Sequence, residues 1–165
     1  MRVLFVVWAT RPHLYPLVPL AWALRASGHE VRLAGTPKWA KDMAGTGLPV
    51  ATVGGSPRVT QRERDALGVS VFTQGHWPTD WVAHIDRLDE AKLAHLNAIG
   101  RYQVAAAEAM VDDTVTFARE WQPDVVVYDS FSYAGPVAAA AIDVPSVRHL
   151  TGTDSAQRSD RKSVV

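Results

Sequence analysis

The sequence predicts a doubly wound α/β fold built on a parallel sheet of five strands. Two apolar runs, residues 3–8 and 124–129, lack polar alternation, which is typical of strands buried on both faces. Helix-forming segments alternate with the apolar runs along the chain, and Gly28 stands where a helix needs a left-handed cap. This alternation indicates parallel strands joined by right-handed helical crossovers.

The first half of the chain contains three of these strands. Residues 3–8 form the first, central strand. Apolar residues then recur at helical spacing up to the cap at Gly28, at Leu17, Leu20, Ala21 and Leu24. Residues 30–34 form the second strand, a short helix opens at Thr36-Pro37, and residues 48–53 form the third strand.

The middle of the chain is less regular. Residues 54–75 are polar and charged, which predicts a loop with one short helix, and residues 72–81 form an aromatic loop broken by Gly and Pro. Residues 82–121 are rich in Ala, Leu and charge, and a break near residues 97–102 predicts two helices there.

The last third supplies two more strands. Residues 124–129 and 145–150 are the fourth and fifth strands, separated by a small-residue helix over residues 130–141. The order 3-2-1-4-5 is then expected for the sheet. Residues 1–152 form one domain, and the polar residues 153–165 are expected to be a disordered tail.

Composition narrows the function classes. Seventeen basic residues balance seventeen acidic ones among the 165, so no overall field attracts nucleic acid. No apolar stretch reaches the roughly 20 residues needed to span a bilayer, so no membrane partner is expected. The chain has no cysteine, which excludes thiolate metal sites and fits a cytoplasmic location, and its composition suggests a bacterial source.

Two residues follow neighbouring strands and could perform chemistry together. His13 follows the first strand and Asp129 closes the fourth, at the sheet edge where doubly wound folds bind ligands. A carboxylate that holds one imidazole nitrogen leaves the other free to accept a proton from a hydroxyl. The pair therefore predicts a general-base dyad. The alternative is that His13 only hydrogen-bonds a loop and Asp129 only caps the following helix.

Five further residues are candidates for ligand binding. Trp77 and Trp81 lie in the aromatic loop, where they either line a ligand surface or hold the loop closed; the others are Phe131, Tyr133 and His149. Each of the latter three either borders the crevice or packs beneath it. His84 and His95 lack the spacing of a helical metal pair and are expected to be solvated. Neither Gly-rich phosphate motif occurs, so no cofactor or metal site is predicted.

Three segments then carry a family likeness. They are residues 1–5 with 12–31, which include Pro12-His13-Leu14-Tyr15-Pro16; residues 117–140, which include Trp121-Gln122-Pro123-Asp124 and the strand to Asp129; and residues 149–154, which begin with His149-Leu150-Thr151-Gly152. Together they resemble the N-terminal half of the GT-B glycosyltransferases that attach deoxysugars to antibiotic aglycones. The resemblance implies a Rossmann-like acceptor-binding domain over residues 1–152, incomplete and without the C-terminal donor domain.

The resemblance also implies an activity. It implies transfer of a deoxysugar from a TDP-linked donor to a hydroxyl of a macrolide or polyketide aglycone, with His13 as the base and Asp129 orienting it. The sugar nucleotide is a co-substrate held mainly by the C-terminal half, so no cofactor is implied. Some relatives need a cytochrome-P450-like helper, which makes such a protein a candidate partner here.

Other interpretations stay open. Because transfer needs donor and acceptor held in one geometry, the isolated chain is expected to be inactive. The missing phosphate motifs and the polar tail are also compatible with a non-catalytic binding or interaction module, or with a truncated remnant. A doubly wound domain of unrelated function is the weakest alternative, since this architecture carries many chemistries.

Overall fold

The computed structural model describes residues 1–8, 10–68, 80–81 and 84–150, with backbone alone at 66–68. Its centre is a parallel sheet of five strands in the order β3-β2-β1-β4-β5. The strands are β1 (Arg2–Val6), β2 (Glu30–Gly35), β3 (Val50–Thr52), β4 (Val125–Asp129) and β5 (Ser146–His149). The predicted fold class and strand order are confirmed.

Helices connect the strands. They are α1 (Arg11–Leu14), α2 (Val18–Ala26), α3 (Ala40–Ala44), α4 (Gln61–Gly68), α5 (Glu90–Trp121) and α6 (Ala134–Ala141). Single 3₁₀ turns precede α2, α3 and α5, at Tyr15–Leu17, Pro37–Trp39 and Ile85–Arg87. The helix predicted before Gly28 therefore exists, and Gly28 has the positive φ of 82° that its cap requires.

The central strand β1 pairs on both sides. Arg2 to Val6 align with Glu30 to Ala34 of β2, and Val3 to Val6 align with Val125 to Tyr128 of β4. Because a strand with two neighbours exposes no backbone edge, its side chains face only the two helix layers. Val3 to Val6 are accordingly buried on both faces, as the unbroken apolar run predicts.

Two apolar clusters fill the two sides of the sheet. The first combines alternate strand residues with helix residues from α1 to α3, namely Val3, Phe5, Val7, Leu14, Leu17, Ala21, Val31, Leu33, Met43, Leu48 and Val127. The second sets the opposite strand faces against α5 and α6, namely Leu4, Val6, Ala34, Val53, Met110, Ala118, Trp121, Val126, Ala134, Ala138 and Ala139. Asp129 follows Val127 at the two-residue period, which puts it on the face of the first cluster.

Two helix predictions were wrong. The break expected near residues 97–102 does not occur, because α5 is one helix of 32 residues. Its Gly100 costs only about 1 kcal/mol relative to Ala, and the surrounding Ala and Leu residues favour helix while no proline interrupts it. Helix α6 begins at Ala134 rather than at residue 130 because the intervening residues form a turn. Among the described residues, no helix is both long and apolar enough to cross a membrane.

The chain divides into two compact units. The first joins Met1–Arg58 to the described residues from Ala106 onward and contains the whole sheet. The second covers the described residues between Val59 and Ala105, and the predicted tail 153–165 lies outside the described residues.

Helix α4 of the second unit begins with a capping box. Glu63 accepts hydrogen bonds from the backbone N–H and the hydroxyl of Thr60, at 2.8 and 2.9 Å. Arg101 donates to the same carboxylate at 2.9 Å. The Thr60 backbone hydrogen bond, followed by the Arg101 guanidinium, lowers the pKa of Glu63. The short helix predicted within residues 54–75 is this element.

Gly54, two residues after β3, packs closely against α5. It has a φ of +70°, and a Cβ there would lie 2.4 Å from the Ala109 carbonyl oxygen. Its N–H donates to Asp113 Oδ2 at 2.8 Å, and the next N–H, of Gly55, donates to that Ala109 carbonyl at 3.1 Å. A side chain would therefore disturb both the backbone conformation and these contacts.

We expect Gly54→Ala to lower the free energy of unfolding by about 2–4 kcal/mol, the sum of a left-handed φ and an overpacked contact. The matched control is Gly55→Ala, because a Cβ at Gly55 meets nothing within 4 Å. Denaturant unfolding of the two variants and the native chain measures the difference. Equal stability of the two variants would contradict the assignment of Gly54 as a close-packed position.

Candidate active site

The candidate site lies where the strand order of the sheet reverses. Strand β1 has β2 on one side and β4 on the other. The helices between β1 and β2 cover one face of the sheet, and α5, which precedes β4, covers the other. In doubly wound sheets, ligands bind beyond the carboxyl ends of the strands at this point. Trp8 follows β1 and Asp129 ends β4, so both belong to this edge.

The turn after β1 positions His13. Helix α1 starts behind Thr10 with proline in its first turn, and the His13 N–H donates to the Thr10 carbonyl at 2.9 Å. Leu14, the next residue, is fully buried in the first core cluster. Because Leu14 anchors the helix to the sheet, the imidazole one position earlier is held at the carboxyl edge.

Asp129 is a fully buried carboxylate with several fixed donors. Its Oδ2 accepts the Trp8 backbone N–H at 2.5 Å and the Ser132 hydroxyl, and its Oδ1 accepts the Phe131 N–H at 2.8 Å. The Phe131 bond closes an Asx turn, which ends β4. Burial of a carboxylate is costly unless its oxygens are hydrogen-bonded, and both oxygens of this carboxylate are.

His13 and Asp129 meet, as the sequence predicts. Nδ1 of His13 lies 3.2 Å from Oδ1 of Asp129, and the His13 side chain is 14% exposed. Nδ1 itself is buried and the contact lacks the alignment of a hydrogen bond. The carboxylate is thus within ion-pair distance of Nδ1 without a hydrogen bond between them.

The structure agrees only in part with the alternative, purely structural interpretation of His13 and Asp129. Asp129 does stabilise the turn before α6, through Phe131 and Ser132. It does not cap that helix, because the N-cap residue is Tyr133 and no side chain caps it. Nδ1 of His13 makes no hydrogen bond to a loop. The juxtaposition of the two side chains is thus shown, while their role in proton transfer stays a prediction.

Aromatic rings surround the imidazole. The ring centroids of Trp8 and Phe131 lie 5.1 and 5.0 Å from that of His13, and 5.5 Å from each other. The ring of Phe131 contacts His13, while its role in acceptor binding stays a prediction. Trp8 was not singled out from the sequence, although its position directly after a buried central strand is the signal that could have identified it.

The other candidate residues differ in how they relate to this pair. His149 is aligned with Asp129 on β5, and its buried Nδ1 has no hydrogen-bond partner. Tyr133 is 42% exposed at the start of α6. Trp81 is partly buried and belongs to the second unit, and Trp77 lies outside the described residues. Acceptor binding by these four stays a prediction.

The remaining histidines do not form a metal site. Within residues 1–8, 10–68, 80–81 and 84–150, no group of three or more His, Cys, Asp or Glu side chains could hold a metal ion. Nε2 of His84 lies 3.4 Å from Oδ2 of Asp80, four residues earlier. His95 is buried rather than solvated as expected, because it shares a helix face with the buried Ala98 three residues later.

Two surface cavities lie away from this pair. Their volumes are about 320 and 390 Å³, and their linings include Arg2 and Asp124 in one and Arg25 and Arg32 in the other. Both contain Glu30 at the start of β2, so they open at the opposite edge of the sheet. The chemistry of the side chains, rather than the depth of a pocket, marks the carboxyl edge as the candidate site.

Comparison with known proteins relates this chain to enzymes of antibiotic biosynthesis. Residues 22–163 match the family model described as erythromycin biosynthesis protein CIII-like, N-terminal domain. The aclacinomycin-T 2-deoxy-L-fucose transferase of Streptomyces galilaeus is 39% identical over 93% of this chain and 37% of that protein. The 10-deoxymethynolide desosaminyltransferase of Streptomyces venezuelae is 36% identical over 100% of this chain and 39% of that protein.

Solved structures give the same relation. The crystal structure of glycosyltransferase VinC in complex with DTDP superposes with a TM-score of 0.72 and 32% identity, over 98% of this chain and 38% of that one. The structural neighbours are GT-B glycosyltransferases, and the sheet matches their N-terminal Rossmann-like half. This chain spans 37–39% of the length of the two transferases above, so the comparison concerns their N-terminal part.

Proposed function

Because the chain belongs to the family of the erythromycin biosynthesis protein CIII-like N-terminal domain, we propose that it is the acceptor-binding half of a glycosyltransferase. The complete enzyme moves a deoxysugar from a TDP-linked donor to a hydroxyl group of a macrolide or polyketide aglycone. The two relatives described above are named as deoxysugar transferases, which supports this substrate class.

The observation that carries the proposal is the 3.2 Å contact between Nδ1 of His13 and Oδ1 of Asp129. With Nδ1 turned toward the buried carboxylate, Nε2 is the ring nitrogen left for the acceptor. Nε2 removes the proton from the acceptor hydroxyl as its oxygen bonds to the anomeric carbon of the sugar. The bond from that carbon to the nucleoside diphosphate breaks, and the diphosphate leaves with the bonding electrons.

Asp129 supports the charge that develops during this step. When His13 gains the proton it becomes an imidazolium, and the adjacent carboxylate stabilises that charge. The backbone N–H groups of Trp8 and Phe131 fix both carboxylate oxygens before the acceptor binds. Asp129 therefore acts as a positioning residue for His13 and needs no movement of its own.

The donor is assigned to the part of the enzyme outside this sequence. Neither phosphate-binding motif occurs in the chain, and VinC, which was crystallised with DTDP, is more than twice as long as the part that matches. We infer that the chain alone does not transfer sugar. A cytoplasmic location and a P450-like activating partner also stay predictions, and comparing transfer with and without such a protein tests the latter.

The test of the proposal joins this chain to the C-terminal remainder of VinC, using the superposition to choose the junction. We expect the fusion to form glycosylated product, measured by mass spectrometry, from TDP-deoxysugar and a panel of polyketide and macrolactone aglycones. The isolated chain and the isolated VinC remainder are the controls and should form none. Equal product from the isolated chain, or a folded fusion that glycosylates no aglycone of the panel, would contradict the proposed division of roles.

A further inference from the structure

Three aromatic rings contact one another at the carboxyl edge of the sheet. Trp8, His13 and Phe131 are in mutual contact, with centroid separations between 5.0 and 5.5 Å. Their planes cross at 50 to 71°, which is the tilted to edge-to-face packing that aromatic pairs prefer. None of the three is fully buried. We call these three residues the aromatic cluster.

The aromatic side chains of the cluster are not needed to fix Asp129 beside His13. Asp129 is held by main-chain N–H groups and the Ser132 hydroxyl, and none of these depends on an aromatic side chain at positions 8 or 131. The two rings instead lie beside the imidazole, so we expect an acceptor whose hydroxyl reaches Nε2 of His13 to contact them. Among the described residues, the rings of Trp8 and Phe131 are the aromatic groups recorded in contact with the imidazole.

We propose, on the basis of the acceptor-binding function above, that Trp8 and Phe131 make this site selective for planar aromatic acceptors over saturated macrolactones. A planar polycyclic acceptor can stack on, or present an edge to, the rings that flank His13. A saturated macrolactone has a puckered surface of sp³ carbons and gains only nonspecific apolar contact from the same rings. The two residues thus discriminate by the shape and π character of the acceptor next to its reacting hydroxyl.

The experiment measures binding to the chain itself by isothermal titration calorimetry. The probes are a tetracyclic anthraquinone aglycone and a sugar-free saturated macrolactone. For Phe131→Leu and Trp8→Leu, we expect the Kd for the planar probe to rise by about 10-fold each. The Kd for the macrolactone should change less than about twofold, because Leu keeps the apolar contact.

Matched variants separate recognition from folding. Trp22→Leu removes a tryptophan that is 43% exposed on α2, and should change neither Kd. Phe131→Tyr keeps the ring and should restore native binding of the planar probe. Thermal unfolding of every variant identifies any loss of binding that comes from misfolding. If a leucine variant is unstable, the Kd values of Phe131→Tyr and Phe131→Leu for the planar probe are compared at a temperature at which both are folded.

Each outcome has one meaning. Equal loss of both probes in the leucine variants, or native binding that favours the macrolactone, overturns the selectivity while the acceptor-binding function stands. Failure of the native chain to bind either probe overturns both the selectivity and the acceptor-binding function. Loss confined to the planar probe supports the assignment of Trp8 and Phe131 as specificity-determining residues.

Discussion

Replacing His13 by Ala in the complete enzyme is expected to lower kcat by about 10²–10⁴-fold, the usual contribution of a general base. On the proposed mechanism, the acceptor hydroxyl then lacks its general base, and we expect donor binding to be unchanged because the proposal assigns it to the C-terminal half. The fold should survive, since Asp129 keeps its bonds to the Trp8 and Phe131 N–H groups and is not left unpaired. Product formation by the fusion with the VinC remainder measures the effect.

The matched control for this experiment is His29→Ala. His29 is also a partly buried histidine of the first unit, but it lies next to β2 at the opposite edge of the sheet. We expect it to leave kcat within about twofold, so that a fall confined to His13→Ala reflects the base. A His13→Ala enzyme that turns over within about threefold of native would exclude the dyad mechanism.

The sheet could be predicted because its information is local. The unbroken apolar runs of β1 and β4 indicate burial on both faces, and helices between strands require parallel pairing. Once the strands are parallel, their carboxyl ends share one edge. His13 and Asp129, 116 positions apart, were therefore expected to meet, and their 3.2 Å contact is the consequence.

The continuity of α5 could not be predicted, because the sequence carries weak signals for a break near residues 97–102. Asn97 and Gly100 lower helix propensity, but each costs at most about 1 kcal/mol, and neighbouring helix formers can offset it. Proline, which would have ended the helix, is absent from residues 90–121. The prediction that His95 is solvated was also wrong. It relied on the charged residues of its segment, whereas the structure places His95 on the same buried helix face as Ala98.

The supports of Asp129 have no sequence pattern of their own. One of its donors is the main-chain N–H of Trp8, which any residue other than proline offers. Which N–H points at the carboxylate depends on the crossing of β1 and β4 and on the turn at Phe131. The sequence could thus nominate the dyad, while the donors that hold the carboxylate became visible only in three dimensions.

Those donors make Asp129→Asn the second large effect, with an expected loss of about 2–4 kcal/mol in the free energy of unfolding. The Asn side chain must place its NH₂ where one of the two carboxylate oxygens was. At Oδ2 it faces the Trp8 N–H, and at Oδ1 it faces the Phe131 N–H. A backbone N–H cannot become an acceptor, so either orientation sets two donors against each other in a buried position. Ser132 can reverse its hydroxyl and accept a hydrogen bond from the NH₂ group. The backbone N–H that faces the NH₂ group still has no acceptor, so the conflict remains.

Asp124→Asn is the control for this argument, because Asp124 lies before the same strand and accepts the Arg2 N–H at 2.6 Å. That carboxylate is exposed, so water can satisfy the groups that the amide leaves unpaired, and we expect a loss below about 1 kcal/mol. Denaturant unfolding of the isolated chain compares the two variants directly. If both lose the same stability, the donors around Asp129 contribute no more than surface hydrogen bonds. If Asp129→Asn alone is costly, the cost locates the stabilisation in the buried N–H groups, which hold the carboxylate for His13.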